Sequence, residues 1–191
     1  MQDNQRPGAV SRRNFLLAAG STAALAGCGN GIGSVGAATI DMRVDQTRDF
    51  LFSKYPGSRE LAAKAQGILW MPLITEAGFG VGGAYGRGAL RIDRVTVDYY
   101  SATQASFGFQ IGAQQYAHAL FFMTPDALRA FRAGMGWSAG ADLKYAVPKD
   151  GGSISADTVT ALDPVVALIF GQQGLILGAS LEGTKYSRII P

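Results

Sequence analysis

The chain has 191 residues, with 17 Lys and Arg, 14 Asp and Glu, one His and one Cys, for a formal net charge of +3. At 48% hydrophobic and 16% charged residues, it is too apolar for a disordered chain and has the length of one domain with a real core. A single Cys excludes an internal disulfide and a single His excludes a His-based zinc site, so neither a metal nor a cofactor is expected.

Residues 1–27 read as an export signal. Arg12 and Arg13 precede Phe15-Leu16, as in the twin-arginine signal, though the Lys usual after Phe-Leu is absent and the general export route stays open, and about a dozen apolar or small residues follow, too few to span a bilayer. Leu25-Ala26-Gly27-Cys28 resembles a lipobox, in which the Cys28 thiol takes diacylglycerol and the mature chain acquires fatty acyl groups such as palmitate. Two or more acyl chains hold a protein stably on a membrane. Gly29 lacks the acidic character of an inner-membrane retention signal. The expectation is therefore a lipoprotein of the bacterial outer membrane facing the periplasm. Once residues 1–27 are removed, 14 basic side chains face 13 acidic ones, so most of the apparent basicity belongs to the signal.

Residues 28–38 form a glycine-rich tether, and residues 39–191 form the domain. Thr39 to Tyr55 has helical spacing, with Val44, Leu51 and Tyr55 on one face. Pro56-Gly57 breaks it, Ser58 is positioned to cap a second helix from Arg59 to Gln66, and Gly67 follows its end. From Gly67 the pattern is mostly β. Leu90 and Ile92 alternate in one phase and Val95, Val97 and Tyr99 in another, so a bulge or turn falls at Asp93-Arg94. Tyr116, His118, Leu120 and Phe122 alternate in the next strand. Thr124-Pro125-Asp126 starts a short inserted helix through Phe131.

The 26 glycines follow a rule. A hexad of the form Gly, large apolar, any residue, apolar, Gly, then Ala or Gly begins at Gly78, Gly108, Gly136 and Gly174. Such units suit similar strands in one closed or strongly bent sheet, with a bare face against which a helix could lie closely. The fold class predicted is α+β: a mainly antiparallel, strongly bent or barrel-like sheet, N-terminal helices and one short inserted helix.

Catalytic constellations are missing. His118 sits among apolar strand partners and no Gly-x-Ser-x-Gly marks a nucleophile. The G-x-G-x-x-G at Gly31, Gly33 and Gly36 follows no strand, and the one at Gly78, Gly80 and Gly83 leads into no helix, so neither is a dinucleotide turn. Asp142, Asp157, Asp163 and Glu182 leave a carboxylate-based hydrolase as a weak third class. Arg87, Arg91 and Arg94 form one basic cluster, and Arg129 with Arg132 another. Phe50-Leu51-Phe52 and Trp70-Met71 suit either lipid contact or core packing.

Four ordered blocks carry a resemblance: Ala65 to Pro72, Glu76 to Gly88, Ser106 to Gln114 and Gly174 to Gly183. Together they resemble the SYLF domain family over about Arg43 to Tyr186. The resemblance implies a lipid-binding module and not an enzyme, since members bind phosphoinositides and, in fungi, actin. Headgroup binding in eukaryotic members is attributed to a basic amphipathic N-terminal segment. Here that segment carries Arg43, Arg48, Lys54, Arg59 and Lys64, interleaved with Asp41, Asp45, Asp49 and Glu60. With Arg87, Arg91 and Arg94 these cations are the headgroup candidates. The expected partner is the phospholipid membrane, with no nucleic acid and no identifiable protein partner. The alternative is a structural or protein-interaction module of the envelope.

Overall fold

The computed structural model describes residues 35–134, 136–140, 144–146, 163–171 and 181–191. Its elements are α1 (Gly36–Lys54), α2 (Ser58–Lys64), β1 (Gly67–Ile92), β2 (Val95–Phe122), α3 (Pro125–Ala133), β3 (Trp137–Ser138), β4 (Lys144–Ala146), β5 (Val165–Phe170) and β6 (Lys185–Ile189). Arg12, Arg13, Cys28 and the fourth glycine hexad lie outside the described residues, as do Asp142 and Asp157.

The first helix starts three residues earlier than its spacing suggests. No side chain caps it at Val35, and Thr39 Oγ1 donates to the Val35 carbonyl at 2.9 Å. Ile40, Val44 and Leu51 are buried, together with Tyr55 just beyond the end. Ser58 is not the cap of α2 but its first residue, and its hydroxyl donates back to the Tyr55 carbonyl at 2.6 Å, locking the break between the helices. The α2 helix ends at Lys64, and Gly67 belongs to β1.

β1 and β2 pair antiparallel from Gly67↔Phe122 to Ile92↔Val95. Asp93 and Arg94 make the turn, with φ of 48° and 72°, the doubly left-handed geometry of a tight hairpin. A bulge between Leu90 and Arg91 adds a second slip. A strand of 26 residues would run roughly 85 Å at about 3.3 Å per residue, far longer than a domain of this size, so the hairpin must roll up. Three glycines show where it does so. A Cβ on Gly88 would overlap the Trp70 carbonyl, one on Gly86 would overlap the Leu73 carbonyl, and one on Gly67 would lie 3.4 Å from the Arg91 carbonyl. As one partner's number rises the other's falls, so the two ends of β1 cross as antiparallel runs. The close approach expected of a helix at the hexads is thus made by the strand's own backbone at Gly86 and Gly88. The first two hexads face each other in the hairpin, Gly78 opposite Gly112 and Gly80 opposite Gly108, while among the described residues of the third, Trp137–Ser138 are strand.

On its other edge β2 pairs with β5 at Ala117–Phe122 and with β6 at Tyr99–Thr103, both antiparallel. β3 extends β6, and β4 adds to β5 in parallel. The result is a curled, six-stranded, mainly antiparallel sheet in an α+β fold.

Period-two alternation sorts this sheet into two cores. On the inner face lie Leu69, Met71, Leu90, Tyr116, Leu120 and Phe122, closed by Leu128 and Phe131 of α3. Trp70, Ala89, Ala117, Ala119 and Phe121 form the outer face, covered by the α1 stripe and by Leu61 of α2. Small residues at Ala117 and Ala119 let the helix approach. α3 begins as its sequence requires, with Thr124 Oγ1 accepting from the Ala127 N–H at 3.2 Å and Pro125 in the first turn.

Candidate functional site: a cationic cleft at the hairpin tip

The turn of the long hairpin lies against α1, and an acid–base network holds it there. Arg91, only 9% exposed, donates from Nη1 to Asp45 Oδ1 at 2.6 Å and from Nη2 to the Asp41 carbonyl at 3.3 Å. The Asp41 carboxylate in turn accepts from Thr96 Oγ1 at 2.7 Å and from the Tyr99 hydroxyl at 2.8 Å. The hydrogen bond from Arg91 holds the Asp45 carboxyl below its ordinary range. Burial, followed by the bond to Asp41, pushes the Tyr99 hydroxyl up to about 12. The Arg91 guanidinium is therefore already answered by acids, and its first role is to position the hairpin tip.

Docking the tip in this way leaves a cleft of about 480 Å³ between the tip, α1 and α2. Arg48, Asp49, Arg59, Arg91, Asp93 and Arg94 supply its charged lining, and Phe52, Ile68 and Trp70 its apolar part. Phe52 packs edge-on to Trp70 with centroids 6.0 Å apart, and Trp70 in turn packs against Phe121 of the outer core. The volume falls within the roughly 300–1,000 Å³ of small-molecule sites.

Of the eight sequence candidates, the structure brings four together, Arg48, Arg59, Arg91 and Arg94. Arg43, Lys54 and Lys64 are exposed on the helices outside the cleft, and Arg87 is half-buried in β1. Within the cleft the cations differ. Arg48 is paired with Asp45 at 3.0 Å and with Asp49 at 2.8 Å. Arg59 lies over the Phe52 ring at 5.3 Å and donates from Nε to the Phe52 carbonyl at 3.2 Å. Among the described residues neither Arg59 nor Arg94 has a carboxylate partner. Trp70, Phe52 and Ile68 were legible only as core-or-lipid aromatics and an apolar strand residue; nothing in their spacing put them beside these arginines.

The other sequence candidates have structural roles. His118 is 1% exposed and its Nε2 lies 2.8 Å from the Tyr186 hydroxyl; burial holds its pKa down to about 3. Arg132 binds Asp98 at 3.1 Å, and Arg129 pairs with Asp126. Asp163 and Glu182 have partners of their own. No described helix is long and apolar enough to cross a membrane.

No curated protein matches the chain. Residues 103–188 match the family model Ysc84, described as Las17-binding protein actin regulator. The match runs from β2 into β6 and contains the second, third and fourth hexads of the sequence, whereas every lining residue of the cleft precedes it. The SYLF resemblance carried by the glycine blocks and the match over residues 103–188 agree, and this part of the chain is similar to the SYLF (Ysc84) family.

Proposed function

We propose that this chain is an envelope lipoprotein, exported through Arg12 and Arg13 and anchored through Cys28, whose SYLF domain binds phospholipid or the membrane surface and catalyses nothing. One observation carries the reading: a cleft in which Arg59 and Arg94, without carboxylate partners among the described residues, share the lining with Phe52, Ile68 and Trp70. A phospholipid presents that pairing of charge and apolar surface at its headgroup boundary, where amphipathic aromatics and long basic side chains also settle. Because residues 28–191 are near neutral, the proposed attraction is assigned to this local patch and not to the overall field.

A second reading, a protein-interaction module of the envelope, draws support from the family description itself, which names Las17 binding and actin regulation. The two readings separate in one experiment. Full-length Cys28→Ala protein is expected to lose fatty-acid labelling and its permanent hold on the membrane, yet still to sediment with phosphatidylglycerol vesicles and to retain lipid in native mass spectrometry. Absence of both sedimentation and retained lipid, with a protein captured by crosslinking, would leave the second reading in place. Labelling that persists in Cys28→Ala would overturn the anchor.

A further inference from the structure

The family match begins at residue 103, so it assigns nothing to a cleft built by residues 48–94. What the cleft accepts follows from its charges. Arg48 and Arg91 are committed to Asp45, Asp49 and Asp41, and recruiting either for a ligand would strip those carboxylates of their partners. Arg59 and Arg94 are not so committed, and Asp93 stands beside Arg94 on the same rim. Four arginines and four aspartates balance in this cleft and its supports, so the two guanidiniums that can turn to a ligand suit one anionic group and no more.

Arg94 is notable for a second reason. It occupies the second position of the hairpin turn at φ 72°, where side chains other than Gly, Asn or Asp are rare and Gly fits without strain. The chain keeps an arginine there, at the mouth of the cleft. The Arg59 guanidinium carbon, in the same lining, lies over the Phe52 ring at 5.3 Å from its centroid, and the Nε contact to the Phe52 carbonyl leaves its terminal nitrogens to other partners.

We propose that this cleft binds a single, singly charged phosphodiester headgroup of the phosphatidylglycerol kind, its phosphate between Arg59 and Arg94 and its glycerol backbone against Phe52, Ile68 and Trp70. The proposal deepens the lipid-binding reading and rests on it. A volume of about 480 Å³ accommodates a headgroup and its glycerol backbone, not a whole two-chain lipid, so the acyl chains remain in the bilayer. A headgroup with several phosphates gains nothing, because its added charge meets Asp49 and Asp93. The apolar floor favours a lipid over free phosphate. Anchoring favours it too: the seven residue steps from Cys28 to Val35 reach at most about 25 Å.

Trp70 reports on the cleft, so full-length protein in neutral detergent can be titrated by tryptophan fluorescence. The probes are short-chain phosphatidylglycerol, short-chain phosphatidylcholine, a short-chain phosphoinositide bisphosphate and inorganic phosphate. Phosphatidylglycerol is expected to bind at least about tenfold tighter than phosphatidylcholine, with no gain for the bisphosphate. Arg59→Gln and Arg94→Gly should each weaken it by about tenfold, the scale of a lost charge-assisted contact, while Arg43→Gln, outside the cleft, leaves it unchanged. Arg94→Gly should keep or raise the thermal midpoint, so its weak binding would not reflect misfolding. Affinity that climbs with each added phosphate would overturn the single-charge assignment and leave lipid binding standing. Inorganic phosphate bound as tightly as phosphatidylglycerol would overturn the lipid source. No response to any lipid, with none retained in native mass spectrometry, would overturn the lipid-binding reading as well.

Discussion

The two faces of the rolled hairpin are closed by different means. On the inner face α3 drives Phe131 among Phe122, Tyr100, Trp137 and Tyr186, at centroid distances of 4.7, 4.8, 5.6 and 6.3 Å. The arginines at its edge are matched by an acid: Asp98 holds Arg132 at 3.1 Å and Arg188 at 3.3 Å, and Arg188 also donates to the Arg132 carbonyl. On the outer face two helices lay a narrower apolar stripe over small alanines, and the acids of the network pair with Arg48 and Arg91 but not, among the described residues, with Arg59 or Arg94. Both faces bury aromatics and both carry acid–base networks. What separates a scaffold from a candidate binding surface is whether the guanidiniums that line a cleft find carboxylates, and among the described residues Arg59 and Arg94 do not.

The comparison presupposes that β1 folds over itself, and Gly88 is where that claim breaks most readily. A Cβ there would overlap the Trp70 backbone carbonyl, which cannot swing aside as a side chain can. Gly88→Ala is expected to destabilise the protein by about 3 kcal/mol, at the upper end of overpacking costs, out of a total of roughly 5–15 kcal/mol. Gly140→Ala, whose Cβ meets nothing within 4 Å, should stay within about 0.5 kcal/mol. Urea denaturation of both variants measures the difference. A wild-type midpoint in Gly88→Ala would mean that the ends of β1 are not in contact and that the two-faced description fails.

The inner face carries a second, smaller signature in its pH dependence. Burial holds His118 down to about 3, against about 6.5 in an unfolded chain. Between those values the unfolded chain binds a proton that the folded one refuses, so stability is full above about pH 6.5 and falls as pH drops towards 3. The slope from this one group is at most about 1.4 kcal/mol per pH unit. His118→Leu should flatten the decline between pH 6.5 and 4, at a cost of about 1 kcal/mol near neutrality for the hydrogen bond lost by Tyr186. Asp45 of the outer face acts lower: its depressed pKa gives stability that is present above about pH 4 and lost only as pH falls through the folded value. Urea midpoints from pH 7 to 4 thus isolate the inner face. Parallel curves for wild type and His118→Leu would contradict the buried, neutral imidazole.

Local chemistry was the part of this molecule that the amino-acid sequence exposed. Thr124-Pro125-Asp126 started a helix because a cap, a fixed φ and an N-terminal acid act within one turn. Tyr116, His118, Leu120 and Phe122 alternated because one side of β2 faces the inner core; Ala117, Ala119 and Phe121 between them are buried as well because α1 covers the other side, which alternation alone does not reveal. Ser58 looked like a cap, yet its hydroxyl turned back to Tyr55, since the break at Pro56-Gly57 left that carbonyl within reach. The hexads drew attention to Gly78–Gly83, whereas the decisive glycines are Gly86 and Gly88. Their need is set by Trp70 and Leu73, more than a dozen residues away, and no local pattern encodes that crossing. The cleft followed the same logic. Eight cations qualified by sequence neighbourhood, and only the fold distinguishes Arg91, consumed by Asp45 and Asp41, from Arg94 three residues later.

The smallest expected change in stability has the opposite sign and bears most directly on the outer face. At φ 72° an L side chain is penalised by about 1–2 kcal/mol relative to right-handed backbone, whereas a glycine is not, though it gives back about 0.5–1 kcal/mol through its freer unfolded state. Arg94→Gly should therefore stabilise the protein by about 0.5 kcal/mol. The same substitution removes a cation from the cleft and weakens headgroup binding, so stability and binding move in opposite directions at a single residue. Asp93, the other left-handed residue of the turn at φ 48°, supplies the contrast. Asp93→Gly should relax the backbone in the same sense while removing a negative charge from the rim, so stability and anion binding should rise together. Thermal midpoints and lipid titrations of the two variants, taken side by side, decide whether the arginine at the tip is held for what it binds. Equal binding by Arg94→Gly and the parent chain would reduce the turn to a loop that happens to carry a charge.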